Sequence, residues 1–318
     1  IQKELDRRRP GQSTVSTPRR ESDKVEILSG IFEGRTMGPP VAMLIRNRNQ
    51  APSAYREIKD KLRPGHADLS YLARYGMRDW RGSGRASGRE TAGRVAAGAI
   101  AKKILAERDI NIVAFAREIA GIRANAVEYE QIEQNMVRTA DPQSADAMVA
   151  KIEEAKAAGN SVGGIVELQI NGVPAGWGNP VFDKLEAVLA HAIMSIGAVK
   201  GIAFGVGFDA AHMSGSEYND EFYMQGARVR TRSNNCGGIL GGISTGEQIV
   251  ARAVIRPTAS IAAAQSTVTV NGRETTIQTH GRHDPCIVPR VIPVIEAMAA
   301  LTLVDSMLQQ KAKTEPCG

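Results

Sequence analysis

Short apolar segments and longer amphipathic segments alternate along the chain. The short segments predict strands at 24–33, 41–45, 110–115, 164–170 and 201–205. Apolar residues three and four positions apart predict helices at 91–105, 144–159, 183–196 and 291–310. Residues 248–255 fit either a strand or a helix, and Asn271-Gly272 predicts a tight hairpin between 267–270 and 275–277. The alternation predicts a mixed α/β (α+β) fold.

Two long polar segments, 46–90 and 207–247, interrupt this pattern and are rich in glycine. Loops of this length inside a compact protein usually carry function. No linker rich in proline and serine divides the chain, so we interpret residues 1–318 as one domain.

The segment 81–91 combines three glycines, three arginines and two serines directly before the helix at 91–105. Ser87 and Glu90 have the spacing of a capping box. A helix N-terminus attracts anions through its free N–H groups and its dipole. Arg85 and Arg89 add guanidinium groups that suit phosphate or carboxylate. This segment is predicted to bind a small polyanion.

Composition narrows the class of ligand and the compartment. The 40 basic and 34 acidic residues leave a net charge of +6, but aromatic residues are only 4% of the chain and offer few surfaces for base stacking. A small anionic ligand is therefore favoured over nucleic acid. The three cysteines, Cys236, Cys286 and Cys317, have no metal-ligand spacing, so no metal site is expected. No apolar run approaches the ~20 residues that span a bilayer, and no signal peptide is visible, which favours a cytoplasmic protein without membrane contact.

Four further motifs carry candidate chemistry, and each has a simpler alternative. Arg7-Arg8-Arg9 fits an anion site, although composition alone favours a solvated tail. His66, within Arg63–Asp68, fits a proton carrier or a surface histidine. The loop 233–246 contains five glycines but lacks the Walker and dinucleotide patterns, and it fits a ligand loop or a flexible connection. The turn 281–286 fits acid–base chemistry or a turn closed by Asp284-Pro285.

Taken together, these motifs resemble the chorismate synthase family. The matching segments are 6–12, 63–68, 84–91 with 94–101, 172–176, 234–246 and 281–286, in the family's order. The resemblance implies a β-α-β sandwich fold, a homotetramer and a reduced FMN cofactor. It also implies the substrate 5-enolpyruvylshikimate 3-phosphate, which loses phosphate in a 1,4-anti elimination to give chorismate with no net redox change.

The resemblance also implies roles for individual residues. His66 matches the histidine that protonates or stabilises reduced flavin, and Asp284 matches the carboxylate near flavin N5. Seven residues match substrate contacts: Arg7, Arg8, Arg9, Arg63, Ser87, Arg89 and Arg282. Five match flavin contacts: Gly88, where the family commonly has alanine, Asn234, Gly238, Arg256, where lysine is usual, and Ser260.

The sequence departs from the family ahead of its arginine motif. Members carry an N-terminal strand and a Gly-Glu-Ser-His-Gly segment there, whose histidine is the second catalytic one; this sequence contains neither, and a fragment without them is expected to be inactive. Some members reduce their flavin with NADPH, but the missing dinucleotide fingerprint favours a monofunctional enzyme. The alternatives are a flavin- or phosphate-binding protein without catalysis and a basic nucleic-acid-binding protein.

Overall fold

The computed structural model describes residues 1–279 and 281–313 and the backbone of residue 314; Cys317 lies outside the described residues. Its helices are α1 (Gln2–Arg8), α2 (Asp68–Tyr75), α3 (Thr91–Ala106), α4 (Pro142–Ala157), α5 (Leu185–Met194), α6 (Gly215–Tyr218) and α7 (Val288–Thr314). Short 3₁₀ helices span Pro52–Ile58, Gly84–Ala86, Gly88–Glu90, Tyr129–Gln134 and Gly207–His212.

The strands are β1 (Val25–Ile27), β2 (Ile31–Phe32), β3 (Arg35–Thr36), β4 (Met43–Ile45), β5 (Asn111–Ile119), β6 (Ile122–Arg123), β7 (Gly164–Asn171), β8 (Val199–Phe204), β9 (Phe222–Gln225), β10 (Arg228–Thr231), β11 (Ile239–Leu240), β12 (Ile243–Ser244), β13 (Ile249–Ile255), β14 (Gln265–Val268) and β15 (Glu274–Ile277). The mixed α/β class is confirmed, and the ambiguous segment 248–255 is a strand.

The start of helix α4 differs from the predicted one. Asp141, not Ser144, caps α4, because its side chain accepts from Gln143 N and Pro142 takes the first helical position.

The chain divides into two compact units, each assembled from three separate segments. The first unit contains Ile1–Ala96, Ala116–Gly164 and Arg256–Val291. The second contains Ala97–Phe115, Ile165–Ile255 and the described residues from Ile292 onward. Neither unit is a continuous half of the sequence. This division does not test the interpretation of residues 1–318 as one domain, which stays a prediction.

The first unit contains several two-stranded antiparallel pairs. In the pair β1–β4, Val25 lies opposite Ile45, and in the pair β14–β15, Val268 lies opposite Glu274. The predicted hairpin at Asn271-Gly272 therefore forms. Its loop is not the two-residue type, since the Thr269 N–H donates to Arg273 O across three intervening residues. The buried apolar side chains of this unit include Leu5, Val15, Val95, Ile119, Val137, Met148, Ile152 and Val288.

The second unit is built on a sheet whose strands are hydrogen-bonded in the order β5, β7, β13 and β8. On β7, Val166, Leu168 and Ile170 are all buried, as their alternation predicts. The intervening Glu167 and Gln169 are also buried, and Glu167 accepts hydrogen bonds from Gln169 and from Arg252 on β13. Both faces of the central strand are therefore covered, one by apolar and one by polar contacts.

Helices α3 and α7 approach closely within the second unit. A Cβ atom added to Gly98 of α3 would lie 2.3 Å from Ala297 Cβ of α7. Beside this contact, the buried Glu296 carboxylate accepts from Lys102 Nζ at 2.9 Å and from Ala114 N at 3.1 Å. Helix α7 is also long and apolar enough to cross a membrane by composition, but 67% of its most apolar window is buried inside the protein, as in a core helix.

We predict that Gly98→Ala destabilises the protein by about 1–3 kcal/mol, because the new methyl group overpacks the contact with α7. Gly93→Ala on the same helix is the matched control, since its Cβ would have no atom within 4 Å. The free energy of unfolding of that control should rise by about 0.5–1 kcal/mol, because alanine lowers the backbone entropy of the unfolded chain. Urea unfolding measures both, and equal stabilities for the two variants would contradict the close packing.

Candidate active site

The predicted anion-binding segment folds as a tight turn that enters α3. Ser87 accepts from Arg89 N at 3.3 Å and caps the 3₁₀ turn Gly88–Glu90, which continues into α3. Glu90 does not complete the capping box; its Oε1 instead accepts from Arg94 Nε at 3.1 Å. A Cβ at Gly88 would have no atom within 4 Å, so the turn leaves open space where the resemblance expects the flavin.

A buried carboxylate that sequence reasoning missed, Asp23, organises this turn. Asp23 is 0% exposed and accepts from Arg8 Nη1 at 2.8 Å through one oxygen and from Arg89 Nη1 through the other. No motif marks Asp23 in the sequence. The available signal is indirect: a site with many arginines needs carboxylates to balance them.

The two arginines on Asp23 differ in how many donors they retain. Arg8 also donates through Nε to Thr91 Oγ1 at 3.1 Å and through Nη2 to Gly88 O at 2.5 Å, so all three of its nitrogens have partners. Burial and the nearby Arg290 lower the pKa of Arg8 to about 10, which leaves it charged at neutral pH. Arg89 donates to Arg46 O at 2.9 Å, and 16% of its side chain remains exposed.

The other two arginines of the first motif lie elsewhere on α1 and directly after it. Arg7 pairs with Glu4 and with Glu133, each at 2.8 Å. Arg9 Nε lies 3.4 Å from Asp6, and the Arg9 side chain is 41% exposed. The structure therefore brings Arg8, but not all three arginines, to Asp23.

Arg63, His66 and Asp68 form a second buried cluster at the start of α2. Asp68 accepts from Arg63 Nε at 2.9 Å, from Arg63 Nη2 at 2.8 Å and from Arg63 N at 3.1 Å. Arg63 Nη2 also donates to Ser83 Oγ at 2.7 Å. Burial alone would raise the pKa of Asp68, but the hydrogen bonds from Arg63 and His66 outweigh it and hold that pKa far below its usual range.

The Nδ1 atom of His66 lies within hydrogen-bond distance of two neighbours, Asp68 and Arg63. Its Nδ1 lies 3.2 Å from Asp68 Oδ1 and 3.1 Å from Arg63 Nη2. Arginine only donates, so the contact with Arg63 requires an unprotonated Nδ1. The contact with Asp68 requires a proton on the same atom. The contacts of Nδ1 therefore fit either tautomer of the His66 ring.

Asp284 and Arg282 occupy the turn before α7. Asp284 is 8% exposed and accepts from Thr17 N at 3.0 Å and from Arg290 Nη1. Arg282 donates through Nη1 to Asn49 Oδ1 at 2.7 Å and through Nη2 to Asn49 O at 3.1 Å. Sequence reasoning missed both partners: Asn49 is 233 positions from Arg282, and Arg290 is only 6 positions from Asp284 but lies outside the motif of the turn.

His283 and Cys286 in the same turn are uncharged at neutral pH. Burial and the nearby Arg63 lower the pKa of His283 to about 4, although Asp284 opposes the shift. The His283 ring lies edge-on to the Tyr55 ring, with ring centroids 6.4 Å apart. The Arg63 Cζ atom lies 5.8 Å from the centroid of the Tyr55 ring. Burial raises the pKa of the Cys286 thiol to about 12, so it is not a nucleophile.

The predicted flavin segment 256–260 of the first unit packs beside the turn that carries His66. A Cβ at Gly65 would lie 3.6 Å from Ala259 Cβ. Arg256 donates to Pro257 O at 2.9 Å, and Ser260 is buried. Thr258 Oγ1 is buried and has no hydrogen-bond partner in the described part of the chain, so it can still bind a ligand.

The glycine-rich loop 233–246 belongs to the second unit. Asn234 Nδ2 donates to Gln248 O at 2.8 Å, while Asn234 Oδ1 is buried with no partner among residues 1–279 and 281–313. Gly238 has φ +79°, and a Cβ there would lie 2.5 Å from Gln248 O, so glycine is required. The expectation that this loop shares one cavity with 81–90 and 281–286 stays a prediction.

Cys236 in this loop is held as a thiol. Burial and a hydrogen bond to Asp220 raise its pKa to about 11.

Among the described residues, no group of three or more His, Cys, Asp or Glu side chains could hold a metal ion. A cavity of about 760 Å³ opens at α2 and the loop after it. Its lining is Tyr71, Tyr75, Met77, Arg78, Asp79, Trp80 and Arg81, so it touches the predicted anion-binding segment only at Arg81.

The chain matches known proteins along nearly its whole length. A family model described as chorismate synthase matches residues 1–308. Chorismate synthase from Synechococcus sp. (strain JA-2-3B'a(2-13)) is 53% identical over 323 residues, covering 100% of this chain and 85% of the relative. Chorismate synthase from Methanosarcina barkeri is 56% identical over 314 residues, covering 97% of this chain and 86% of the relative.

The structure is similar to a crystal structure of chorismate synthase. The TM-score is 0.75 at 32% sequence identity, and the match covers 97% of this chain and 82% of the other. The family resemblance and the fold that it implied are thereby confirmed.

We predict that Asp68→Asn lowers the free energy of unfolding by roughly 3 kcal/mol near neutral pH, because it leaves the Arg63 charge buried without its partner. The folded-state pKa of Asp68 lies below its ordinary value of 3.8. Its carboxylate therefore contributes stability above that value, and the contribution is lost as the pH falls towards the folded-state pKa. Denaturant titrations across this range should show wild type and variant converging in acid; a gap independent of pH would contradict the assignment.

Proposed function

Because the chain belongs to the chorismate synthase family, we propose that it catalyses the 1,4-anti elimination of phosphate from 5-enolpyruvylshikimate 3-phosphate to give chorismate. One observation of the first unit supports this proposal: buried carboxylates orient arginines that retain free donors, as Asp23 orients Arg89. The substrate carries one phosphate and two carboxylates, and guanidinium groups are well suited to both.

Three residues of the first unit are the best-placed substrate anchors. Arg89 donates one hydrogen bond from each terminal nitrogen to the protein and keeps its other donors. Arg282 likewise donates one hydrogen bond from each terminal nitrogen, both to Asn49, and keeps its other donors. The Ser87 hydroxyl accepts from Arg89 N and can still donate. We propose that these groups bind the anionic parts of the substrate. Arg7, Arg9 and Arg63 are further predicted contacts, whereas Arg8, whose three nitrogens all have protein partners, is proposed to hold the turn in place.

We propose that reduced FMN is the cofactor, and residues of the first unit fit parts of it. Arg256 keeps donors for a phosphate, the Thr258 hydroxyl has no partner among the described residues, Ser260 is buried, and Gly88 leaves open space. Asn234 and Gly238, the other flavin contacts that the resemblance implies, stay predictions. Reduced FMN, when bound, supplies the electron density that makes loss of phosphate feasible.

His66 and Asp284 are the proposed proton-handling groups. His66 can carry a proton on Nδ1 against Asp68 or give that proton up and accept from Arg63. Asp284 is oriented by Thr17 N and Arg290, so its carboxylate is held in one position to receive the proton that leaves the substrate. We further propose a cytoplasmic homotetramer that obtains reduced flavin from a separate, NADPH-dependent reductase.

The direct test is an anaerobic assay of the full-length protein with reduced FMN and 5-enolpyruvylshikimate 3-phosphate. The proposal predicts chorismate and phosphate in equal amounts, with the flavin still reduced at the end. Binding of both ligands without product would instead indicate a flavin- and phosphate-binding protein without catalysis.

We predict that Arg89→Ala weakens substrate binding by roughly 1.5–3 kcal/mol, the usual contribution of a hydrogen bond to a charged group. Flavin affinity should change much less. Arg85→Ala in the same segment is the control, because the Arg85 side chain is 84% exposed. Calorimetric titrations with each ligand measure both effects, and equal losses for the two ligands would remove Arg89 from the substrate site.

We predict that Asp284→Asn lowers turnover by roughly a hundredfold or more, the usual scale of acid–base catalysis, while substrate and flavin still bind. The amide keeps the shape of the side chain but removes the base. Asp146→Asn, on the exposed face of α4, has the same change in charge and should not alter turnover. Near-normal turnover of Asp284→Asn at saturating reduced FMN would leave the turn 281–286 with a structural role only.

A further inference from the structure

Two buried carboxylates lie two residues apart in the segment before β1. Glu21 is 4% exposed and Asp23 is 0% exposed. A buried carboxylate is costly unless it is paired and hydrogen-bonded, so the partners of these two groups determine what the pair contributes. Neither residue belongs to any of the motifs that the sequence analysis identified.

Asp23 fixes the direction of Arg89. The carboxylate takes one Nη1 donor from Arg89 and one from Arg8, and Arg89 Nη2 donates to Arg46 O at 2.9 Å. Asp23 itself has φ +46°, a left-handed conformation that non-glycine residues seldom adopt. Its carboxylate is therefore held between two guanidinium groups by the fold around it.

Glu21 fixes the segment that carries Arg282. Its oxygens accept from Arg48 N at 3.1 Å and from Asn49 N at 3.0 Å, and Arg19 Nη2 lies 2.8 Å away. Burial opposes ionisation of Glu21, but the hydrogen bond from Arg19 and the two backbone bonds outweigh it and lower its pKa. Asn49 in turn receives both terminal nitrogens of Arg282.

The two carboxylates are linked through one short piece of backbone, residues 46–49, which Glu21 contacts directly and Asp23 reaches through Arg89. Arg46 O accepts from Arg89, and Asn49 accepts from Arg282. The spacing between the two guanidinium groups therefore depends on both acids at once. A substrate with several fixed anionic groups requires such a spacing, because misplaced donors lose hydrogen bonds that only the aligned geometry provides.

We propose that Glu21 and Asp23 are positioning residues, which set the spacing of Arg282 and Arg89 for the anionic groups of the substrate. The proposal rests on the proposed function. Neither acid is expected to touch the substrate, and each acts through its arginine. A purely structural role would instead make each acid contribute to stability without any coupling to an arginine in substrate binding.

Double-mutant cycles on substrate affinity separate these two roles. The first cycle combines Glu21→Gln with Arg282→Ala, and the second combines Asp23→Asn with Arg89→Ala. Each single variant should weaken substrate binding roughly tenfold or more, the scale of a misaligned charged hydrogen bond. Each double variant should bind no more weakly than its arginine variant alone, while flavin affinity stays near that of wild type.

Glu26→Gln is the matched control. Glu26 lies on β1 in the same part of the chain, is paired with the Arg46 side chain at 2.9 Å, and loses the same charge on substitution. Its substrate affinity should equal that of wild type. Losses that multiply in the double variants would overturn the proposal, as would equal losses for substrate and flavin in the acid variants.

Asp23→Asn leaves the Arg8 charge buried without its carboxylate, which can prevent folding. If that variant does not fold, the first cycle alone decides between the two roles. Glu21→Gln keeps acceptors for the backbone N–H groups and removes only the charge. The full-length wild-type protein is measured first. If it neither binds nor converts the substrate, the proposed function fails; if it does both and the cycles are additive, only the positioning roles fail.

Discussion

The contact of Asp23 with Arg8 and Arg89 is the constraint on which the arginine-rich site depends. Several guanidinium groups close together repel one another and lose hydration when they are buried. The carboxylate of Asp23, which is fully buried, offsets both costs at the turn that enters α3. Asp68 does the same for Arg63 at the start of α2.

This arrangement divides the arginines into two kinds. Arg8 has a protein partner for each of its nitrogens, so it ties α1 to the start of α3 through Asp23, Thr91 and Gly88. Arg89 shares the same carboxylate but keeps free donors. Two arginines in neighbouring motifs therefore differ in what they can do: Arg8 holds the turn together, and Arg89 can still bind an anion. Only the pattern of contacts distinguishes them.

The sequence predicted what depends on local spacing. Helix α3 and strand β7 begin and end within a residue of the predicted bounds, because both have a regular apolar period. The start of α4 was wrong because Asp141 followed by proline is a stronger signal than Ser144. The acids behind the arginines were missed, since the contact of Asp23 with Arg89 joins residues 66 positions apart and leaves no local pattern.

The most direct test of the account is a crystal structure of the full-length protein with oxidised FMN and the substrate bound. We expect Arg89 and Arg282 to contact the anionic groups of the substrate while Arg89 remains on Asp23 and Arg282 remains on Asn49. A substrate bound away from these two arginines, or an Arg89 that leaves Asp23 to reach it, would contradict the account.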